Sequence, residues 1–151
     1  MRIGVISDTH ASSFDDIPAV IRKELSGVDI IVHAGDFTDR SVLDGLKTLG
    51  EVKAVCGNMD SGDLKRVLPP KVSFVANGKK IGVTHGSGGP FGITKRARQM
   101  FDDADIIIYG HSHHAEAKTV NGCVLFNPGT ARKSYGILTI EDEIKAEIIR
   151  I

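Results

Sequence analysis

Residues 2–10 read Arg-Ile-Gly-Val-Ile-Ser-Asp-Thr-His. An apolar, β-branched run there breaks at once into a carboxylate and an imidazole. A run of this length without alternation suits a strand covered on both faces. The same pattern returns along the chain. Val28–Ala34 leads into Gly35-Asp36, Val52–Cys56 into Gly57-Asn58-Met59-Asp60, Lys80–Thr84 into His85-Gly86, and Asp105–Tyr109 into Gly110-His111-Ser112-His113-His114. Val72–Ala76 is a further strand candidate.

Between the first three runs the apolar spacing turns helical. Asp15–Leu25 carries Ile17, Val20, Ile21 and Leu25 with Gly27 just beyond it, and Arg40–Leu49 carries Val42, Leu43, Leu46 and Leu49 before Gly50. Gly92–Phe101 predicts a third, basic helix. Strand–helix–strand alternation implies parallel strands with right-handed crossovers. The second half differs. Asn77-Gly78 and Asn121-Gly122 fall between apolar runs as hairpin turns, and Tyr135–Ile140 with Ile144–Ile151 predicts a hairpin across Glu141-Asp142-Glu143. The expected fold is α/β, two stacked mixed β-sheets flanked by helices, in one domain over residues 1–151.

The bulk numbers exclude several classes. Lys+Arg and Asp+Glu both total 19 in 151 residues, which argues against a broad basic face for stable nucleic-acid binding. No run of 18 apolar residues exists to span a membrane. The N-terminus passes into polar residues without a signal-cleavage pattern. Cys56 and Cys123 lie in apolar runs and form no CxxC pair, so buried, reduced thiols are expected. The reading is a cytoplasmic protein.

In an open α/β sheet the carboxyl ends of parallel strands form the ligand crevice. Here that rim would receive Asp8, His10, Asp36, Asn58, His85, His111 and His113. A lone Asp after a strand is usually a turn former or helix cap, and a lone His is usually structural. Five runs all ending in lone-pair donors point instead to metal ions. Gly35, Gly57, Gly86 and Gly110 adjoin these residues and allow close backbone approach.

The ordered set Asp8-x-His10, Gly35-Asp36, Gly57-Asn58, His85 and Gly110-His111-x-His113 resembles the motif set of the calcineurin-like metallophosphoesterases. The chain's small size, Gly57-Asn58-Met59-Asp60 and Asn127-Pro128-Gly129-Thr130 are similar to the compact YfcE-like phosphodiesterases. The resemblance implies a metallophosphoesterase-like sandwich with two divalent ions. Asp8, His10 and His113 would hold one, Asn58, His85 and His111 the other, and Asp36 would bridge ions roughly 3.5–4 Å apart. It implies hydrolysis of a small phosphodiester by a metal-bridging hydroxide. Asp36, Asn58 and Asp60 would form the catalytic set. Asn58, Ser87 and His114 are the candidate substrate contacts, the last two from their own positions, outside the family pattern. Four imidazoles with carboxylate and amide oxygens suit Mn²⁺, Fe²⁺, Ni²⁺ or Zn²⁺ rather than Ca²⁺, and the resemblance points to Mn²⁺.

Two positions depart from the family pattern. Many larger relatives carry a histidine where Met59 stands, as proton donor to the leaving group, and compact relatives often carry a histidine at the place of Ser87. Ser87-Gly88-Gly89-Pro90 then reads as a plain turn or a backbone-lined contact for a substrate oxygen. His33 is expected behind the ligands. His114 would point away from His113 if the strand continued that far. The alternative functions are a phosphomonoesterase or nucleotide phosphatase, and a metal-binding interaction scaffold of the kind represented by the retromer subunit that shares this resemblance. A domain this small is compatible with a homodimer.

Overall fold

The computed structural model describes residues 1–89 and 91–151; Pro90, the end of the expected Ser87–Pro90 turn, lies outside the described residues. The strands are β1 Arg2–Ile6, β2 Ile30–His33, β3 Val52–Ala54, β4 Lys71–Ala76, β5 Lys79–Thr84, β6 Ile106–Ile108, β7 Glu116–Val120, β8 Cys123–Asn127, β9 Ser134–Ile140 and β10 Ile144–Arg150. The helices are α1 Ala19–Leu25, α2 Arg40–Leu49, α3 Gly62–Val67 and α4 Ile93–Gln99. One five-stranded sheet has the order β10-β9-β1-β2-β3, the other β4-β5-β6-β8-β7. β1, β2 and β3 run parallel, as do β5, β6 and β8, while β4, β7, β9 and β10 pair antiparallel. The fold is α/β, with two mixed sheets stacked face to face and helices outside.

Alternation explains why the central strands read as continuous apolar runs. Ile3, Val5, Ile30 and Val32 point between the sheets, where they meet Ile81, Val83, Ile106, Ile108, Val124 and Phe126. Their neighbours Ile6 and Ile31 point outward under α1 and α2, against Ile21, Leu25, Val42, Leu43 and Leu46. On the far side Ile107, Tyr109 and Leu125 face Ile93 and Ala97 of α4. Each central strand is thus sandwiched on both faces. The edge strand β4 is not: Val72, Phe74 and Ala76 turn inward while Val75 is exposed. Asn77 and Gly78, and Asn121 and Gly122, all take positive φ, as the two central residues of a type I′ hairpin turn require.

Several boundaries differ from the sequence reading. The expected helix over 15–25 is a 3-10 turn at Phe14–Asp16 followed by α1 from Ala19. Pro18 forces the split: its ring disfavours helical backbone at the residue before it, and Ile17 is extended at φ −68°, ψ 129°. Strands β2, β3 and β6 are shorter than their apolar runs. One consequence is that Cys56 lies beyond β3 in a loop and is only half-buried, while Cys123 is buried as expected. The helix α3 has no counterpart in the periodicity. It is six residues long and starts where the Ser61 hydroxyl accepts from the Leu64 N–H at 3.4 Å.

Candidate metal centre

The parallel strands β1 and β2 are in register, with Ile6 opposite His33, so their ends lie level. Beyond them the loops stay laced together: the Asp8 N–H donates to Gly35 O at 3.0 Å and the His10 N–H to Asp36 O at 3.1 Å. Within the second sheet the Gly110 N–H donates to His85 O at 3.1 Å, and this sheet joins the rim through the His111 N–H, which donates to Asp8 Oδ2 at 3.1 Å.

The rim gathers all seven candidate ligands into two adjoining groups. In the first, His113 Nε2 lies 3.2 Å from Asp8 Oδ1, and His10 Nε2 lies 3.9 Å from that oxygen and 3.6 Å from Asp36 Oδ2. In the second, His85 Nε2 lies 3.3 Å from Asp36 Oδ2 and 3.1 Å from Asn58 Oδ1, and His111 Nδ1 lies 3.2 Å from Asn58 Oδ1. Asp36 Oδ2 therefore stands between the groups.

The buried atoms of this cluster fit a cation. Asp8 Oδ1 and His10 Nε2 are buried without a hydrogen-bond partner; the 3.2 Å approach of His113 to Asp8 lacks hydrogen-bond geometry. An unsatisfied buried polar group costs about 1–3 kcal/mol. Two lone-pair donors left bare beside further imidazoles and a second carboxylate are what metal ligation would satisfy. The backbone is also bent to this end. Asp8, His10, Asp36, His111 and His113 all have φ between 44° and 69°, a left-handed region uncommon outside glycine and concentrated at functional sites.

Surrounding groups orient four of these side chains. Asp8 Oδ2 accepts from the Ser7 hydroxyl at 2.6 Å, which leaves Oδ1 facing the centre. Asp36 Oδ1 accepts from the Met59 N–H at 2.8 Å, which leaves Oδ2. His85 turns Nδ1 to Ala34 O at 2.7 Å, and His111 turns Nε2 to Gly88 O at 2.9 Å, so the opposite nitrogen of each ring faces inward. Burial pushes the Asp36 carboxyl up, but hydrogen bonds from His85 and the Met59 N–H outweigh it and hold the group below its ordinary range. Burial likewise depresses His85, yet the Asp36 and Asp8 carboxylates raise it above the usual imidazole value. The two carboxylates thus draw positive charge to this spot, either a proton on His85 or a metal cation in its place.

Behind the ligands, His33 is fully buried and held neutral by burial and by neighbouring His85. Its Nδ1 accepts from the Gly35 N–H at 3.1 Å, so the ring proton sits on Nε2 and faces Thr9 Oγ1 at 3.1 Å; the Thr9 hydroxyl in turn reaches Asp36 O at 3.3 Å. Asp60 is buried with both oxygens occupied by backbone: Thr38 N–H at 2.8 Å, Gly57 N–H at 2.7 Å and Asp36 N–H at 3.1 Å. It braces the loop carrying Asp36 and Asn58 from beneath.

Ser87 lines a cleft of about 200 Å³ together with Asn58, His85, Cys56, Thr84 and Met100. His114 is exposed and is not among that lining. The strand does not continue to it: β6 ends at Ile108, and both His111 and His113 are left-handed. Sequence reasoning misses Ser7, Thr9 and Thr130 as supports. The Thr130 hydroxyl donates to Asp8 O at 2.9 Å, and the Asn127 amide donates to Gly110 O at 3.1 Å. Ser7 and Thr9 flank Asp8 in sequence, which is the one local signal that points to them.

Comparison with known proteins agrees with this geometry. The family model described as calcineurin-like phosphoesterase superfamily domain matches residues 1–143. The chain belongs to that superfamily. A protein of Methanocaldococcus jannaschii named probable metallophosphoesterase is 39% identical over 163 residues, covering 100% of this chain and 82% of the relative. A phosphodiesterase of the same organism is 27% identical, with 99% of both chains covered. Among solved structures, Vps29 of Entamoeba histolytica in complex with zinc superposes with a TM-score of 0.75 at 27% identity, covering 99% of each chain. Calcineurin-like phosphoesterases bind divalent metals, and the groups Asp8–His10–His113 and Asp8–Asp36–His85 place their ligand atoms within 4.8 Å of one another. No helix among the described residues is long and apolar enough to cross a membrane.

Proposed function

We propose that this metallophosphoesterase is a phosphodiesterase acting on small diesters, with two divalent ions held by Asp8, His10, His113 and Asp36 on one side and Asp36, Asn58, His85 and His111 on the other. The observation that carries this reading is the pair of buried, unpartnered donors, Asp8 Oδ1 and His10 Nε2, in a ring of seven ligand-type side chains. When bound, such ions neutralise phosphoryl oxygens and lower the pKa of a bound water toward about 7. The chain's own residues supply position. Asp60, the His33–Thr9 pair, Ser7 and Thr130 hold the two carboxylates in place, and Asn58 lies on the cleft side, where an ester oxygen can meet its amide. Asp60, with three backbone donors on its carboxylate, positions rather than transfers a proton.

Met59 directs the specificity. The residue is 57% exposed beside Asn58, and its thioether cannot protonate a leaving group. General acid assistance is commonly worth about 10²–10⁴-fold, so esters with acidic leaving groups should react best. The test starts from metal-free protein given Mn²⁺, Zn²⁺, Ni²⁺ or Mg²⁺ with bis-p-nitrophenyl phosphate, p-nitrophenyl phosphate and an alkyl diester. Metal-restored cleavage of the aryl diester is expected, faster than of the monoester, slow for the alkyl ester, and lost in Asp36→Asn. Equal rates on alkyl and aryl esters would overturn the role given to Met59. Bound metal without turnover of any ester would favour the second reading, an interaction scaffold, to which the likeness to Vps29 lends support.

A further inference from the structure

The segment Ser87-Gly88-Gly89 stands out in the sequence, and metal ligation does not account for it. Its carbonyls are not free. From α4 the Arg96 guanidinium reaches back over the loop: Nε donates to Ser87 O at 2.8 Å, one terminal nitrogen to Gly89 O at 2.6 Å and the other to Phe91 O at 2.8 Å. The guanidinium packs against Gly88 and Gly92. A Cβ on Gly88 would come within 3.2 to 3.3 Å of three guanidinium atoms, and both Gly88 and Gly92 have positive φ, at 79° and 77°. The Gly88 carbonyl, between two of these, is not held by Arg96 and accepts from His111 Nε2 at 2.9 Å. That hydrogen bond leaves His111 Nδ1 facing Asn58 Oδ1 and His85 Nε2, at 3.2 and 3.3 Å.

We propose that Arg96 is a positioning residue for one of the two proposed metal subsites: by clamping the Ser87, Gly89 and Phe91 carbonyls it presents that of Gly88 to His111 and so orients that imidazole toward the metal. Arginine suits this task because its planar fork places several donors in fixed relation. A lysine offers one compact charge and could engage one carbonyl well. The proposal rests on the metal-site reading of His111 and does not depend on which ester is cleaved. Partners that orient a metal-binding histidine commonly change affinity by about 10–100-fold.

The experiment is calorimetric titration of Mn²⁺, and separately Zn²⁺, into metal-free wild-type protein and into Arg96→Ala, Arg96→Lys, His111→Ala and the double variant Arg96→Ala/His111→Ala. Lys95→Ala, on the exposed side of the same helix, is the control. Arg96→Ala is expected to weaken one of two binding events by about 10-fold or more and leave the other in place, with Arg96→Lys between it and wild type. In the His111→Ala background the Arg96→Ala loss should vanish, because the residue acts through that ring. Equal weakening of both events, or losses that simply add, would show a structural role and overturn the proposal; so would wild-type affinity in Arg96→Ala. A second arm needs no metal. The His111 Nε2–H should give a proton resonance protected from water exchange in wild-type protein, and lose that protection in Arg96→Ala. If wild-type protein takes up neither metal, the metal reading itself fails, and this arm still decides whether Arg96 holds His111. Arg96→Lys serves in place of Arg96→Ala should the latter not fold.

Discussion

Gly57 has no space for a methyl group. A Cβ there would fall 2.1 Å from Asp36 Oδ1 and 2.5 Å from Asp36 N, far inside van der Waals contact. Gly110 is similar, with Ser7 Oγ at 2.0 Å and Asp8 Oδ2 at 2.8 Å. These two glycines let the loops of both sheets press against the two carboxylates. Gly57→Ala must therefore displace Asp36, the side chain between the two ligand groups. The expected outcome is a folded protein by circular dichroism with metal affinity reduced at least about 10-fold, the scale on which ligand-orienting contacts act. Gly50→Ala is the comparison, since nothing lies within 4 Å of its added Cβ. Unchanged Mn²⁺ binding in Gly57→Ala would show that Asp36 is not held as tightly as its surroundings indicate.

At the scale of elements, helices and strands divide the labour. The helix α2 buries Val42, Leu43 and Leu46 against the outer face of the first sheet and contributes no ligand. Its Asp39 cap accepts from the Ser41 N–H at 2.8 Å and starts the helix cleanly beyond the Asp36 loop. Leu46 is fully buried, and its truncation to alanine should cost about 2–5 kcal/mol through lost contacts and a residual cavity. Urea unfolding would read that loss. Turnover per folded molecule at saturating metal should be unchanged, because α2 touches the site only through the frame. A fall in turnover without a fall in stability would mean that α2 does more than support. The short helix α4 is different, since Arg96 extends from it to the loop that meets His111.

For the whole molecule, the proposed metal centre is a joint between the two sheets. Asp8 and Asp36 come from the first, His85, His111 and His113 from the second, and the Asp8 carboxylate already accepts a backbone N–H from across the gap at 3.1 Å. Metal bound there ties the layers together and relieves the approach of two buried carboxylates. A ligand at 100 times its Kd stabilises the native state by about 2.7 kcal/mol, which for a chain of this size raises the melting midpoint by about 5–10 °C. Chelation should reverse that gain. Protons compete with metal for imidazole and carboxylate donors, so the gain should be present near neutral pH and fade as pH falls through the histidine range. Melting curves with and without Mn²⁺ across that range would check both statements; a midpoint indifferent to metal at neutral pH would count against a centre that bridges the sheets.

The strand-and-helix frame and the set of side chains that the strand ends deliver were legible in the residues alone. Both are local properties: alternation, β-branched runs, Asn-Gly turns, and donors placed just after each run. The sequence even contained what broke the first helix, Pro18, and what started the third, Ser61, although periodicity outweighed the one and the other helix is too short to show a period. What each polar atom does is set by contacts that form on folding. Asp60 is 24 residues from Asp36, Thr130 is 122 from Asp8, and His111 is 23 from Gly88. A hydrogen bond between such residues leaves no period in the sequence, because loop closure brings them together. Whether a carboxylate oxygen faces a metal or a backbone N–H is settled by the donors that crowd its other side.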